Sequence, residues 1–251
     1  MKIVLLAAGI GQRLGKHTQE LPKSLLKLHE RTILDYVLDT LLSFPASEII
    51  IVGGFAFEKL QKHLQGKDPR IHLIKNENYL KGSILTLECA LPYLDTDFFL
   101  FNADHIYPKS IVSELLKNKS GIVGMCDFDR PLADDDMKIS CDSTHHITGI
   151  SKKLSSFDGG YIGITYCSKD SLTLYKNTVQ EVIERTDGKG VVEEVLATLI
   201  QKGTLPFFSI PVVFDGSKSI LLKIWQLLNL KSTHSYDTYS IDTNRPCRRY
   251  Y

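Results

Sequence analysis

The stretch Lys2-Ile3-Val4-Leu5-Leu6-Ala7-Ala8-Gly9-Ile10-Gly11-Gln12-Arg13, followed by Pro22-Lys23-Ser24-Leu25-Leu26, decides how the rest of the chain is read. Residues 2–7 form an apolar run of strand length, and Ala8-Gly9-Ile10-Gly11 turns the chain at its end. Glycines there let backbone N–H groups approach a ligand closely. Arg13 and Lys23 add fixed positive charge, so the segment reads as a cradle for a polyphosphate; the bland alternative is a glycine turn beside unrelated surface charges. The two commoner phosphate-loop patterns fail. Leu14 stands where the dinucleotide fingerprint needs its third glycine, and five residues separate Gly9 from Gly15-Lys16, with His17 in place of the hydroxyl residue of a P-loop.

The chain has 251 residues and 43% apolar content, enough to bury a full core as one α/β unit. Thirty Lys plus Arg against 29 Asp plus Glu leave a net charge of +1, so no global field draws nucleic acid or an anionic membrane. Any phosphate affinity is local. Five cysteines form no C-x-x-C pair and sit mostly in apolar runs, which fits reduced thiols and a cytoplasmic compartment. The start superficially resembles a signal peptide, but its apolar stretch is short and leads into Gly-x-Gly-x-Arg. No segment approaches the roughly 18 apolar residues of a membrane span.

Strand-length apolar runs at 2–7, 48–53, 70–75 and 97–103 alternate with helix-period segments, the pattern of a mostly parallel sheet with crossover helices. Ile33, Leu34, Val37, Leu38, Leu41 and Leu42 follow Thr32 at helical spacing, and a second such set follows Gly82-Ser83. Pro108 opens a third helix. After residue 120 the rhythm changes to short strands at 121–126, 137–141, 146–151 and 160–167, predicting a small mixed-sheet subdomain. Helices near 169–184 and 190–202 and a strand at 207–214 follow. The expected fold is α/β: a single Rossmann-like sheet with a nucleotide-binding half, 1–119, and an acceptor-binding half, 120–251.

The N-terminal stretch resembles the signature of nucleotidylyltransferases that act on sugar 1-phosphates and phospho-alcohols. That signature runs Leu-Ala-Ala-Gly-x-Gly-x-Arg and then Pro-Lys-x-Leu, matched by Leu6 to Arg13 and by Pro22 to Leu25. The resemblance implies that Leu6, Ala7, Ala8, Gly9 and Gly11 hold the triphosphate, with Arg13 and Lys23 as its catalytic cations. It also places Gly82 and Ser83, within Asn78 to Leu87, beside base and ribose; a plain helix cap is the alternative.

The fourth strand candidate delivers Asp104 to its carboxyl end, where open α/β sheets bind ligands. Asp104 reads as a metal carboxylate, or alternatively as a cap for the helix that Pro108 begins. Asp104-His105-Ile106-Tyr107 looks most like inositol-1-phosphate cytidylyltransferases. The resemblance implies Mg²⁺ on Asp104 and on Asp242 of Ile241-Asp242-Thr243, although Tyr239-Ser240 replaces the acidic pair usual before that motif, and Asp215 and Asp237 compete. In the second half it implies that Lys138, Lys152 and Asp158 contact the acceptor. Tyr161-Ile162-Gly163 stands where Asp-Thr-Gly is frequent. Asp134-Asp135-Asp136 reads as a solvated acidic turn.

The implied reaction is transfer of a nucleotidyl group, CMP from CTP by preference, to a phosphorylated alcohol such as inositol 1-phosphate, with release of pyrophosphate. Sugar-1-phosphate enzymes using UTP, GTP or dTTP are the near alternative. A glycosyltransferase shares the sheet but usually carries Asp-x-Asp where this chain has Asn102-Ala103-Asp104. A nucleotide-sensing subunit without turnover is the third. A homodimer stays open.

Overall fold

The structure, a computed structural model, describes residues 1–11, 20–109, 111–117, 120–128, 131–144 and 146–203, and the backbone of 208–211 and 222–223. In chain order the elements are β1 (Lys2–Ala7), β2 (Lys27–Leu28), β3 (Arg31–Thr32), α1 (Ile33–Leu41), β4 (Glu48–Gly53), α2 (Phe57–Leu64), β5 (Ile71–Lys75) and α3 (Ser83–Ala90). Then come β6 (Phe98–Asn102), β7 (His105–Ile106), α4 (Ile111–Leu115), β8 (Ile122–Asp127), β9 (Lys138–Cys141), β10 (Ile147–Ser151), β11 (Gly159–Cys167), α5 (Leu172–Thr186), α6 (Glu193–Gln201), β12 (Phe208–Pro211) and β13 (Leu222–Lys223).

Among the described residues one nine-stranded sheet organises the chain. Its main path runs β10-β9-β11-β6-β1-β4-β5, with β8 on β11 and β12 on β8. The pairs β6-β1, β1-β4 and β4-β5 are parallel, so their carboxyl ends open on one side. β1 alternates across the sheet: Ile3, Leu5 and Ala7 pack in the core with α1, while Val4 packs in the core with α3, α5 and α6. Crossover helices thus cover both faces, as a buried parallel sheet requires.

Strand β11 joins the two halves. It runs antiparallel to β8 along most of its length, and its other edge is shared by β9, at Gly159 and Gly160, and by β6, from Ile164 to Cys167. Between those pairings, among the described residues, Ile162 and Gly163 face no neighbouring strand; the Tyr107 hydroxyl donates to the Ile162 carbonyl at 2.8 Å instead. Gly163 takes a φ of 81°, and a Cβ there would press on the Asn102 amide at 3.1 Å and the Tyr107 hydroxyl at 3.2 Å. The bulge needs glycine. The expected mixed sheet is therefore continuous with the parallel one, through β11.

α1 starts where its sequence predicts. Thr32 accepts from the Asp35 N–H and Asp35 accepts from the Thr32 N–H, a reciprocal capping box. The expectation of a solvated acidic turn at 134–136 is corrected at its last residue: Asp134 is exposed, but Asp136 is buried and accepts from the Ala133 N–H at 2.7 Å. A buried carboxylate must be hydrogen-bonded, and the tight turn after Pro131 supplies the donor.

Candidate functional site

A cleft of about 600 Å³ opens over the carboxyl ends of β1 and β6, within the size range of small-molecule sites. Leu6, Ala7, Ala8, Gly9, Ile10 and Gly11 line it consecutively, because β1 ends at Ala7 and the chain then turns across the cleft mouth. The Ala103 N–H donates to the Leu6 carbonyl at 3.1 Å, which brings Asp104 beside this turn.

Lys23 comes from a single 3₁₀ turn, Lys23–Leu25, begun by Pro22. Its Nζ donates to Asp104 Oδ2 at 2.8 Å, and His105 Nδ1 lies 2.7 Å from Asp104 Oδ1. Protein surrounds the Asp104 carboxyl on most sides, yet 39% of the side chain stays open to the cleft. Burial pushes its pKa up, but His105 and Lys23 together outweigh that and hold it well below the usual carboxylate range. The group is an anion held between the Lys23 ammonium and the His105 ring.

Ser83 and Lys81 also line the cleft. Gly82 does not. It lies between them, packed on the 188–190 loop: a Cβ on Gly82 would fall 2.0 Å from the Gly190 carbonyl, and its N–H donates to the Gly188 carbonyl at 2.8 Å. Its lack of a side chain serves the packing of α3 against the 188–190 loop. The Val192 N–H donates to Ser83 Oγ at 3.1 Å, tying the start of α6 to the start of α3.

Of the three expected acceptor contacts, Lys152 lines the cleft and the other two do not. Lys138 is 7% exposed, and its Nζ donates to the carbonyls of Lys152 at 3.0 Å, Ala133 at 3.3 Å and Asp134 at 3.4 Å. It holds the turn that carries Lys152. Asp158 accepts from the Cys141 N–H at 2.7 Å and closes the end of β9. Arg13 and Asp242, and the competitors Asp215 and Asp237, lie outside the described residues.

Three cleft residues were not singled out from the sequence: Asn102, Tyr79 and, above all, Glu193. Burial raises the Glu193 pKa and Asp104 adds to the rise, while Lys152 and an Asn102 hydrogen bond oppose it. A glutamate directly after the buried-face valine Val192 was its one sequence signal.

An ion that takes one or two carboxylates and fills its octahedron with phosphates and water fits Asp104. It is an oxygen donor, ionised and open to the cleft. Among the described residues no group of three or more His, Cys, Asp or Glu side chains could hold a metal unaided.

Residues 3–202 match the profile of the MobA-like NTP transferase domain. A CTP:phosphoglutamine cytidylyltransferase of Campylobacter jejuni is 28% identical over 185 residues, 65% of this chain and 72% of that protein. A bifunctional IPC transferase and DIPP synthase of Aquifex aeolicus is 29% identical over 157 residues, 62% of this chain but only 36% of that protein. The solved inositol-1-phosphate CTP transferase from T. maritima superposes with a TM-score of 0.69 at 18% identity, covering 83% of this chain and 84% of that one. The last likeness is one of fold.

Proposed function

The chain belongs to the MobA-like NTP transferase domain family and is a nucleotidyltransferase, and on that premise we propose that it transfers CMP from CTP to a phosphorylated alcohol such as inositol 1-phosphate, with Mg²⁺, releasing pyrophosphate. The observation that carries this reading is the contact of Lys23 Nζ with Asp104 Oδ2, 2.8 Å apart beside the glycine turn.

A phosphate monoester has its second pKa near 6, so the acceptor is already an effective nucleophile at neutral pH and needs no general base. What remains is to bring two anions together. In-line attack of an acceptor phosphate oxygen on the α-phosphorus forms the diphosphate bridge and breaks the bond to pyrophosphate. The amides from Ala8 to Gly11 cradle the triphosphate, with Arg13 as a second cation. Lys23 neutralises charge building on the α-phosphate, the usual main contribution in such transfers. Lys152 holds the acceptor phosphate. Asp104, with Asp242, would hold Mg²⁺, which when bound neutralises triphosphate oxygens.

A pyrophosphate-release screen of four triphosphates against inositol 1-phosphate, phosphocholine, an aminoalkylphosphonate and hexose 1-phosphates tests the proposal. Release is expected with CTP and a phospho-alcohol. Release only with UTP, GTP or dTTP and a hexose 1-phosphate would replace it with the sugar-nucleotide reading, and no acceptor-dependent release would end it.

A further inference from the structure

Two adjacent glutamates open α6, and they have different surroundings. Glu194 is used by the fold: its Oε1 accepts from the Val191 N–H at 3.2 Å and its Oε2 from Arg185 at 3.1 Å. Glu193 turns instead to the cleft, where Asn102, Tyr161 and Lys152 also stand. Its carboxylate interacts with the Asn102 amide and lies in the field of Lys152 and of Asp104.

The backbone holding Glu193 is fixed from both sides. The Val192 N–H is bound by Ser83 Oγ, and the side chains of Val192 and Val195 are buried in the core. Lys152 is fixed in turn through Lys138, whose ammonium grips the Lys152 carbonyl. The cleft thus presents one cation and one carboxylate whose backbones are both anchored.

We propose that Glu193 is the residue that selects the acceptor: its carboxylate takes an O–H or N–H donor that the acceptor carries beside its phosphate. The inference rests on the function proposed above, in which Lys152 takes that phosphate. A carboxylate accepts hydrogen bonds only, so the group it reads must be a donor, either a hydroxyl or an ammonium. Because burial and the Asp104 charge both act against the Glu193 anion, an incoming donor is bound more strongly there than at an open surface. An acceptor that lacks a donor leaves the carboxylate without its partner and is discriminated against.

The test is calorimetric binding and steady-state kinetics of the full chain and of Glu193→Gln, with three probes: inositol 1-phosphate for the hydroxyl, phosphoethanolamine for the ammonium, and propyl phosphate with no donor. The wild-type chain is expected to bind at least one donor-bearing probe about tenfold or more tighter than propyl phosphate. Glu193→Gln should raise the KM of that probe by about the same factor, leaving the propyl phosphate KM and the triphosphate Kd unchanged. The unchanged triphosphate Kd also reports an intact fold. A larger loss for phosphoethanolamine than for inositol 1-phosphate identifies the ammonium as the group read; the reverse identifies the hydroxyl. Equal binding of the preferred probe by wild type and variant overturns the role of Glu193 while leaving the enzymatic reading standing. Failure of every phosphate probe to bind the wild-type chain overturns both.

Discussion

The amino-terminal and carboxyl-terminal halves build their sides of the cleft by opposite means. In the first, β1, β4, β5 and β6 run parallel, so their carboxyl ends share one edge and the chain leaving β1 and β6 lines the cleft. Consecutive residues from Leu6 to Gly11 and from Asn102 to His105 line the cleft. In the second half β9, β10 and β11 are antiparallel, and alternate strand ends point away. Some charges there are drawn into holding the hairpin, as with Lys138 and Asp158, while among the described residues Asp135, Asp136, Lys152 and Glu193 line the cleft. Parallel topology concentrates function on the backbone, whereas antiparallel topology leaves it to a few selected side chains.

The comparison breaks most visibly at Lys23 and Asp104. Replacing either by Ala is expected to lower turnover by about two orders of magnitude or more, the range seen when a charge-stabilising group is lost. The double variant should fall short of the product of the single effects, because the two groups contact each other. Pyrophosphate release at the wild-type rate in either single variant would sink the assignment.

The same contrast explains what the sequence made legible. β1 and β4 are apolar runs with clear ends, and the Thr32 cap marks α1 to the residue. The Gly-x-Gly-x-Arg and Pro-Lys motifs are local in sequence, so the glycine turn and Lys23, which line the cleft, could be picked out directly. α2 escaped the reading because it buries only Leu60 and Leu64, too thin a stripe in eight residues to show helical periodicity. Glu193 escaped it because its direction depends on where α6 begins and on the bulge that brings Gly163 under Asn102. The carbonyl contacts of Lys138 were hidden for a related reason. A lysine in a strand shows its charge in the sequence but not whether neighbouring carbonyls have already engaged it.

The seam between the halves can be probed with glycine. Gly82→Ala would force a Cβ to within 2.0 Å of the Gly190 carbonyl and 2.5 Å of the Lys189 carbonyl carbon. Neither is a flexible side chain, so α3 and the 188–190 loop must separate, at about 1–3 kcal/mol. Gly9→Ala is the control, since nothing lies within 4 Å of its Cβ position. It should leave urea stability unchanged and weaken triphosphate binding, because the added methyl occupies the ligand's approach. Equal stability loss in both variants would show that Gly9 serves the fold.

Within the second half, Lys152→Ala and Lys138→Met separate contact from support. Lys152→Ala should raise the acceptor KM about tenfold, the loss of one charged hydrogen bond, with the urea midpoint unchanged. Lys138→Met leaves three carbonyls without their donor and should destabilise by about 1–2 kcal/mol, with a smaller rise in acceptor KM. A reversal of the two patterns would return Lys138 to the cleft.

The smallest effect concerns the first half's own scaffold, remote from the cleft chemistry. Asp35 accepts from the Thr32 N–H at 3.1 Å, the Thr32 hydroxyl at 2.6 Å and Lys67 Nζ at 2.7 Å, with His63 Nε2 3.0 Å away. Burial pushes its pKa up, but Lys67, Thr32 and His63 outweigh that and hold it below the usual carboxylate range. A folded-state pKa lowered from about 3.9 means the stabilisation is fully present above about pH 4 and fades as pH falls toward the folded value. Asp35→Asn keeps one acceptor oxygen but removes the charge, and should destabilise by about 1 kcal/mol at pH 7. Urea titrations of both proteins at pH 7 and pH 3 should show that difference narrowing at the lower pH, because the Asp35 carboxyl of the unfolded wild-type chain takes up a proton there while the folded one stays ionised. A difference that holds constant or widens at pH 3 would mean that the cap is held by its hydrogen bonds and not by the charge.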